Sequence, residues 1–291
     1  MKQSESHFHD IRGLRYHVRT WGEAHHPKLF LLHGWMDVSA SFQFLVDEFR
    51  NDWHVIAPDW RGFGLTQLAG GGYWFPEYYA DLDALLDIYQ PDAPASVVGH
   101  SMGGNVICAY AGIRPQCVRC LVTLEGLGMP RTSADQSPDR HARWLDELRN
   151  PPQMAPYRSF AAVARRLQRN NHRLSDERAE FLARHWAREL GPGVVALAGD
   201  PRHKTVNPYL FRIEEMLACW RRITAPVLLV TGKNSQAAGW LKDSAAQLAQ
   251  RKAAFADFRE VALDDCGHMM HHDQPQRLAG IIESFLDPAA Q

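Results

Sequence analysis

Apolar and polar positions along the chain fall into two alternating rhythms. Short, nearly continuous apolar runs read as buried strands, and longer stretches with apolar residues three and four apart read as amphipathic helices. Residues 6–21 have the pattern of an antiparallel hairpin turning at Arg12-Gly13. KLFLL at 28–32 is a buried strand, and 39–49 has helical spacing through Phe42, Leu45, Val46 and Phe49, with Ser39 or Ser41 placed to cap it. Strands follow at 53–57, 95–99 and 118–124, and helices at 76–89 and 102–113. The helix at 76–89 carries Tyr79, Leu82, Leu85, Leu86 and Tyr89 on its apolar side. After an interruption the alternation resumes with strands at 226–231 and 258–263 and helices at 237–250 and 274–285. Strand–helix alternation predicts a parallel sheet covered on both faces, with ligands at the carboxyl ends of the strands.

The interruption divides the chain. Residues 1–126 and 223–291 are expected to form one core domain, and 127–222 a helical lid inserted over the strand ends. The insertion shows helical patterns at 140–148, 159–169, 175–190 and 207–220 and no clear strand. Residues 131–222 hold 17 Lys+Arg against 11 Asp+Glu, leaving 15 against 22 elsewhere. Solvated pairs along Arg-rich helices account for that excess, and a positive face for an anionic substrate is the sharper alternative.

Composition narrows the class. With 45% hydrophobic and 22% charged residues, the 291-residue chain is neither disordered nor fibrous. A net charge of −1 gives no footprint for nucleic acid, and no apolar run is long enough to span a bilayer. The opening MKQSESHFHD lacks an apolar secretory region, and five cysteines, an odd count, suit a reducing cytoplasm. Cys117 and Cys120 form a CxxC that nothing nearby completes into a zinc set, so neither metal nor cofactor is expected. The sequence leaves a homodimer open.

Gly99-His100-Ser101-Met102-Gly103 carries the chemistry. It follows a buried strand and opens a helix, the strand–turn–helix context that raises a nucleophilic serine above a sheet. The flanking glycines are needed because a Cβ at either would meet neighbouring backbone. His33-Gly34-Trp35 follows the strand at 28–32, where glycine lets amides turn inward. The backbone N–H groups of Trp35 and Met102 are the expected oxyanion donors, with Gly34 and Trp35 against the substrate. Of fifteen histidines, most are expected on the surface, among them His7, His9, His25, His26 and His141. His268, after Gly267 in the loop between the last strand and helix, is the expected base, with His271 and His272 as rivals.

With His33-Gly34, Asp59-Trp60-Arg61-Gly62-Phe63-Gly64, the Ser101 motif and Gly267-His268 in this order, the chain resembles α/β-hydrolase-fold proteins over its whole length. Residues 164–177 also resemble serine hydrolase-like proteins. The resemblance implies an α/β-hydrolase fold with a mostly parallel eight-stranded sheet, helices on both faces and a helical cap. The chain departs from it at the acid. The aspartate that many relatives carry after the strand at 226–231 is replaced by Ser235, and Asp243 lies farther on in an expected helix. Glu125 ends a buried strand, where a carboxylate is costly unless paired. Some haloalkane dehalogenases similarly place a glutamate after this strand. Glu125 is therefore the expected partner of His268, ahead of Asp264 and Asp265, which capping or solvation explains better. The expectation is a Ser101–His268–Glu125 serine hydrolase acting on small to medium carboxylic esters. The alternatives are lactone, thioester, amide or carbon–carbon hydrolysis or perhydrolysis on the same residues, or a binding protein that has lost turnover.

Overall fold

The computed structural model describes residues 1–287. Eight strands form one sheet: β1 (Ser4–Ile11), β2 (Leu14–Trp21), β3 (Lys28–Leu32), β4 (His54–Pro58), β5 (Ala95–His100), β6 (Val118–Leu124), and two later strands described below. The β1–β2 turn places Arg12 and Gly13 at φ 53° and 77°, the primed turn that matches strand twist. The spatial order runs β1, β2, β4, β3, β5, β6 and then the two late strands. β2 is antiparallel to both β1 and β4, and every other pairing is parallel.

Side chains alternate across the central strands as the period-2 pattern requires. Phe30, Leu32 and Val97 pack with α2 (Phe75–Tyr89) and α3 (Met102–Ile113), while Leu29, Leu31 and Val98 pack on the opposite face with α1 (Gln43–Glu48). Both faces are buried, so these strands read as continuous apolar runs.

The inserted segment contains α4 (Ser137–Arg149), α5 (Phe160–Asn170) and α6 (Asp176–Trp186), then a hairpin of β7 (Ala187–Gly191) and β8 (Val194–Leu197), then α7 (Ile213–Trp220). The expectation of an insertion without strands is corrected by this hairpin. Leu190, the last residue of the helical pattern expected over 175–190, is 62% exposed on β7, and Gly193 at φ 71° turns the chain back. The helix expected over 207–220 starts only at Ile213. Val163, Leu167, Leu182 and Val195 form a separate small core with Phe44. Arg143–Glu147, Arg149–Asp146 and Arg184–Glu180 are exposed pairs three or four residues apart, the solvated use of arginine.

The last part holds β9 (Val227–Gly232), α8 (Ala237–Leu241), α9 (Ala245–Lys252), β10 (Phe258–Leu263), α10 (Met270–Asp273) and α11 (Pro275–Leu286). The single helix expected over 237–250 is broken at Lys242, at φ 54°, and Asp243 lies between two helices rather than within one. It binds Arg251 at 2.5 and 3.1 Å. Ser39 and Ser41 do not cap a helix either. Residues Ser39–Phe42 form a 3-10 turn, and Ser41 Oγ turns inward to histidines. Among the described residues no helix is long and apolar enough to cross a membrane.

Candidate active site

Strand register sets the geography. Leu32 pairs with Gly99, His100 with Leu124, and Leu124 with Val230. The residues just past these positions, His33, Ser101, Glu125 and Gly232, therefore share one end of the sheet, where a parallel sheet opens its crevice.

Ser101 sits at φ 51° and ψ −109°, a conformation that costs energy and is retained where the surroundings enforce it. The surroundings are tight. A Cβ on Gly99 would come within 2.5 Å of the Gly103 backbone, and one on Gly103 within 2.2 Å of the Leu32 carbonyl oxygen. Ser101 N–H donates to the Leu124 carbonyl at 2.8 Å, tying the turn to the neighbouring strand. Met102 opens α3, where first-turn amides lack intrahelical acceptors and favour negative charge. Gly34 lies alongside, its would-be Cβ 3.3 Å from Ser101 Cβ. Trp35 is 51% exposed, so its indole does not fill the core.

His268 and Glu125 meet. His268 Nδ1–H donates to Glu125 Oε2 at 2.5 Å, with the His268 side chain 24% and the Glu125 side chain 3% exposed. That contact uses Nδ1 and leaves the other ring nitrogen, Nε2, outside the pair. Glu125 is itself held. Gly232 N–H donates to Oε1 at 2.9 Å, and Ser235 Oγ–H donates to Oε2 at 2.6 Å. Ser235 thus stands beside the carboxylate as a donor. Where the sequence shows an absent aspartate, the structure shows a donor to the carboxylate. A small polar residue in that slot was the available signal.

The rival residues are otherwise engaged. Asp264 pairs with Lys233 at 2.6 Å on the surface, and Asp265 takes a turn conformation at φ 51°. His271 and His272 are buried, both on Ser41 Oγ, at 3.1 and 2.6 Å. The expectation that most histidines are superficial holds for His25 and His141, while His7, His9 and His26 are half-buried. Six of the fifteen, His17, His33, His54, His100, His271 and His272, are buried.

Four hydrogen bonds fix the loop that carries His268. His100 Nε2–H donates to the His268 carbonyl at 2.9 Å. Asp273 accepts from Gly267 N–H at 2.8 Å and from the Asn171 side chain at 2.7 Å, and Arg178 Nη1 donates to the His272 carbonyl. The last two partners come from the inserted segment. Trp240 stands edge-on to His268 with ring centroids 5.1 Å apart. Of the CxxC pair, Cys120 is buried and Cys117 is a half-buried free thiol. The Asp59–Gly64 stretch is structural: Arg61 binds the buried Asp81 through two 2.6 Å hydrogen bonds, and Gly64 N–H reaches the Ala198 carbonyl of the insertion at 2.8 Å.

Comparison with known proteins agrees with this architecture. A family model for the alpha/beta hydrolase fold matches residues 27–275. A serine hydrolase-like protein of Danio rerio is 29% identical over 283 residues, covering 93% of this chain and 84% of that protein. Lipase LipV of Mycobacterium tuberculosis is 27% identical over 294 residues, covering 94% and 98%. A thioesterase domain from the curacin biosynthetic pathway superposes with a TM-score of 0.84 at 26% identity, covering 97% of this chain and 99% of that one. The sheet, the strained serine turn and the matched span together place this chain in the α/β-hydrolase-fold family.

Proposed function

We propose that the chain is a serine hydrolase of small to medium carboxylic esters, using Ser101 as nucleophile, His268 as base and Glu125 as the carboxylate that orients it. The observation that carries the reading is the Glu125–His268 hydrogen bond, supported by Ser235 and Gly232, at the strand end beside Ser101. His268 Nε2 accepts the Ser101 proton as Oγ attacks the ester carbonyl carbon. The amides of Trp35 and Met102 stabilise the oxyanion, and His268 then protonates the departing alcohol. Water, deprotonated by the same histidine, attacks the acyl-enzyme and frees the acid and Ser101. Residues 127–222 act as the cap over a core of 1–126 and 223–291, and Gly34 and Trp35 flank the acyl group. The relatives that include a lipase support hydrolysis at an acyl centre. The free thiols of Cys108, Cys117, Cys219 and Cys266 suit a cytoplasmic setting.

Hydrolysis of p-nitrophenyl butyrate by wild type, Ser101→Ala, Glu125→Gln and Ser235→Asp tests the assignment. Loss of activity in the first two supports it. Near-wild-type rates in Glu125→Gln together with a gain in Ser235→Asp would refute the role of Glu125. A strong preference for thioesters, lactones or vinylogous diketones over simple esters would keep the residues and change the substrate class.

A further inference from the structure

A row of histidine rings runs inward from His268. Ring centroids are 4.8 Å apart for His268 and His100, 4.6 Å for His100 and His271, and 4.2 Å for His271 and His272. Asp37 joins the row, its Oδ2 3.7 Å from His271 Nε2. Asp37, His100 and His271 are all buried, and one ligand atom from each lies within 4.8 Å of the other two.

These groups are short of partners. Asp37 Oδ2, His100 Nδ1 and His271 Nδ1 are buried polar atoms with no hydrogen bond. Each such atom leaves its desolvation uncompensated, and proteins rarely leave several together without a ligand to satisfy them. The tautomer of His100 follows from its neighbour. A carbonyl oxygen only accepts, so Nε2 carries the proton donated to His268, and Nδ1 presents a lone pair. Asp37 Oδ1 is used by Val38 N–H at 2.8 Å, which leaves the lone pairs of Oδ2 unused. The unused lone pairs of Asp37 Oδ2 and His100 Nδ1 therefore lie in one buried cluster with His271, whose Nδ1 has no partner and whose Nε2 meets Ser41 Oγ at 3.1 Å. Two imidazoles and one carboxylate are a transition-metal donor set rather than a magnesium or calcium one. The 3.7 Å separation is close to the roughly 3.3–3.5 Å edge of a tetrahedron with metal–ligand distances of about 2.0–2.2 Å. The Nε2–H bond of His100 to the His268 carbonyl is the kind of outer contact that orients a ligating imidazole.

We propose that Asp37, His100 and His271 bind one divalent transition-metal ion of the zinc class, and that its occupancy inhibits hydrolysis. An ion held on His100 Nδ1 engages the imidazole whose Nε2–H bond fixes the His268 carbonyl, so occupancy repositions the loop that presents His268. The inhibitory half rests on the reading of His268 as the base, whereas the binding half is independent of it.

The test is a Zn²⁺ titration of chelator-stripped protein against a chromophoric competitor, with Mg²⁺ as control. The His25→Ala, His26→Ala variant serves as background to remove a second pair of adjacent histidines. One equivalent should bind in this background, at least tenfold more weakly in Asp37→Asn and His271→Phe, with no competition from Mg²⁺. Absence of stoichiometric binding, or equal affinity in both variants, overturns the site. Should either variant fail to fold, anomalous scattering at the zinc edge from the unmutated protein decides: a peak among the three side chains supports the site and a peak only elsewhere overturns it. p-Nitrophenyl butyrate hydrolysis followed in the same titration should fall with the same midpoint as binding. Binding without loss of rate overturns the inhibitory half alone.

Discussion

Among the described residues, His17 joins a serine to a carboxylate by hydrogen bonds, whereas His268 is hydrogen-bonded to Glu125 at the sheet end that also carries Ser101. In the first arrangement, on the hairpin edge of the sheet, His17 Nδ1 binds Asp59 at 2.7 Å and His17 Nε2 meets Ser6 Oγ at 2.9 Å. In the second, His268 Nδ1 binds Glu125, and Ser101 stands at the neighbouring strand end. Ser6 sits mid-strand in β1 opposite Arg19, with no helix behind it, whereas Ser101 is strained at φ 51° at the start of a helix. Both nitrogens of His17 are committed, and Asp59 also accepts from Ser39 N–H at 2.6 Å and Leu65 N–H at 2.9 Å. Burial alone would raise the Asp59 pKa, but the hydrogen bond and charge of His17, with His33 and Leu65 N–H, hold it below the usual carboxylate range. The lesson is that the side-chain chain of hydrogen bonds is cheap to assemble. Activation needs an exposed strained turn and amides aimed at developing charge.

The largest effect should separate the two serines. Ser101→Ala is expected to lower kcat/KM for p-nitrophenyl butyrate by about 10⁴-fold or more, and Ser6→Ala to leave it within about twofold. A fluorophosphonate should label one serine, mapped by mass spectrometry to Ser101; a label on Ser6 would erase the distinction.

The two carboxylates should part next. Glu125→Gln is expected to cost about 10³–10⁴-fold in kcat, because the histidine loses its orienting acceptor and the stabilisation of its charged form. Asp59→Asn is expected to show mainly as lost stability, about 3–5 kcal/mol in urea unfolding, since a buried pair is broken and its donors are stranded. Equal effects of both substitutions on kcat would show that the contrast is misdrawn.

Burial extends the contrast to acid stability. His33, His100 and His272 have pKa values lowered first by burial, so the unfolded chain binds more protons than the folded one below about pH 6.5. Stability is thus complete above that pH and falls as pH drops, with a slope of about 1.4 kcal/mol per pH unit from each group until its folded-state value is reached. Urea midpoints measured from pH 8 to 5 should decline together once pH 6.5 is passed, and a level profile would show that these histidines are hydrated in solution.

Much of this was legible in the sequence where one local signal decides the outcome. The strands around Phe30, Val97 and Val122 are continuous apolar runs because both faces are covered, and Arg12-Gly13 marks its own turn. Glu125 was legible because a carboxylate ending a buried strand demands a partner. Four features lay outside such signals. The β7–β8 hairpin hides behind the helical spacing of Ala187 and Leu190, and Lys242 breaks a helix without any residue type that announces it. Ser235 and the buried histidines take their meaning only from groups brought to them by the sheet register.

Ser235 tests how much the acid depends on its own support. Ser235→Ala removes one of two non-histidine donors to Glu125, an interaction with a charged acceptor worth about 1.5–3 kcal/mol. The expected result is a kcat about tenfold lower with KM unchanged, because the change acts on the base and not on substrate contacts. A drop as deep as that of Glu125→Gln would mean that the carboxylate leaves His268 altogether without the serine.

The smallest expected effect concerns the link between the inserted segment and the histidine loop. Asn171 donates to Asp273, which also accepts from Gly267 N–H directly before His268. Asn171→Ala removes one neutral donor to a charged acceptor while Gly267 keeps its bond, so unfolding free energy should fall by about 1.5–3 kcal/mol. Activity reads something different from stability here. If the segment helps to hold the loop, kcat falls a few-fold and amide exchange quickens at 266–269. If the His100 bond to the His268 carbonyl suffices, exchange there stays slow and kcat does not move. The His17–Asp59 set has no counterpart to this strap, since its partners come from the sheet and its adjoining loops, so the same substitution should leave exchange around His17 unchanged. A change at both places would point to general loosening of the fold instead of a tether specific to the His268 loop.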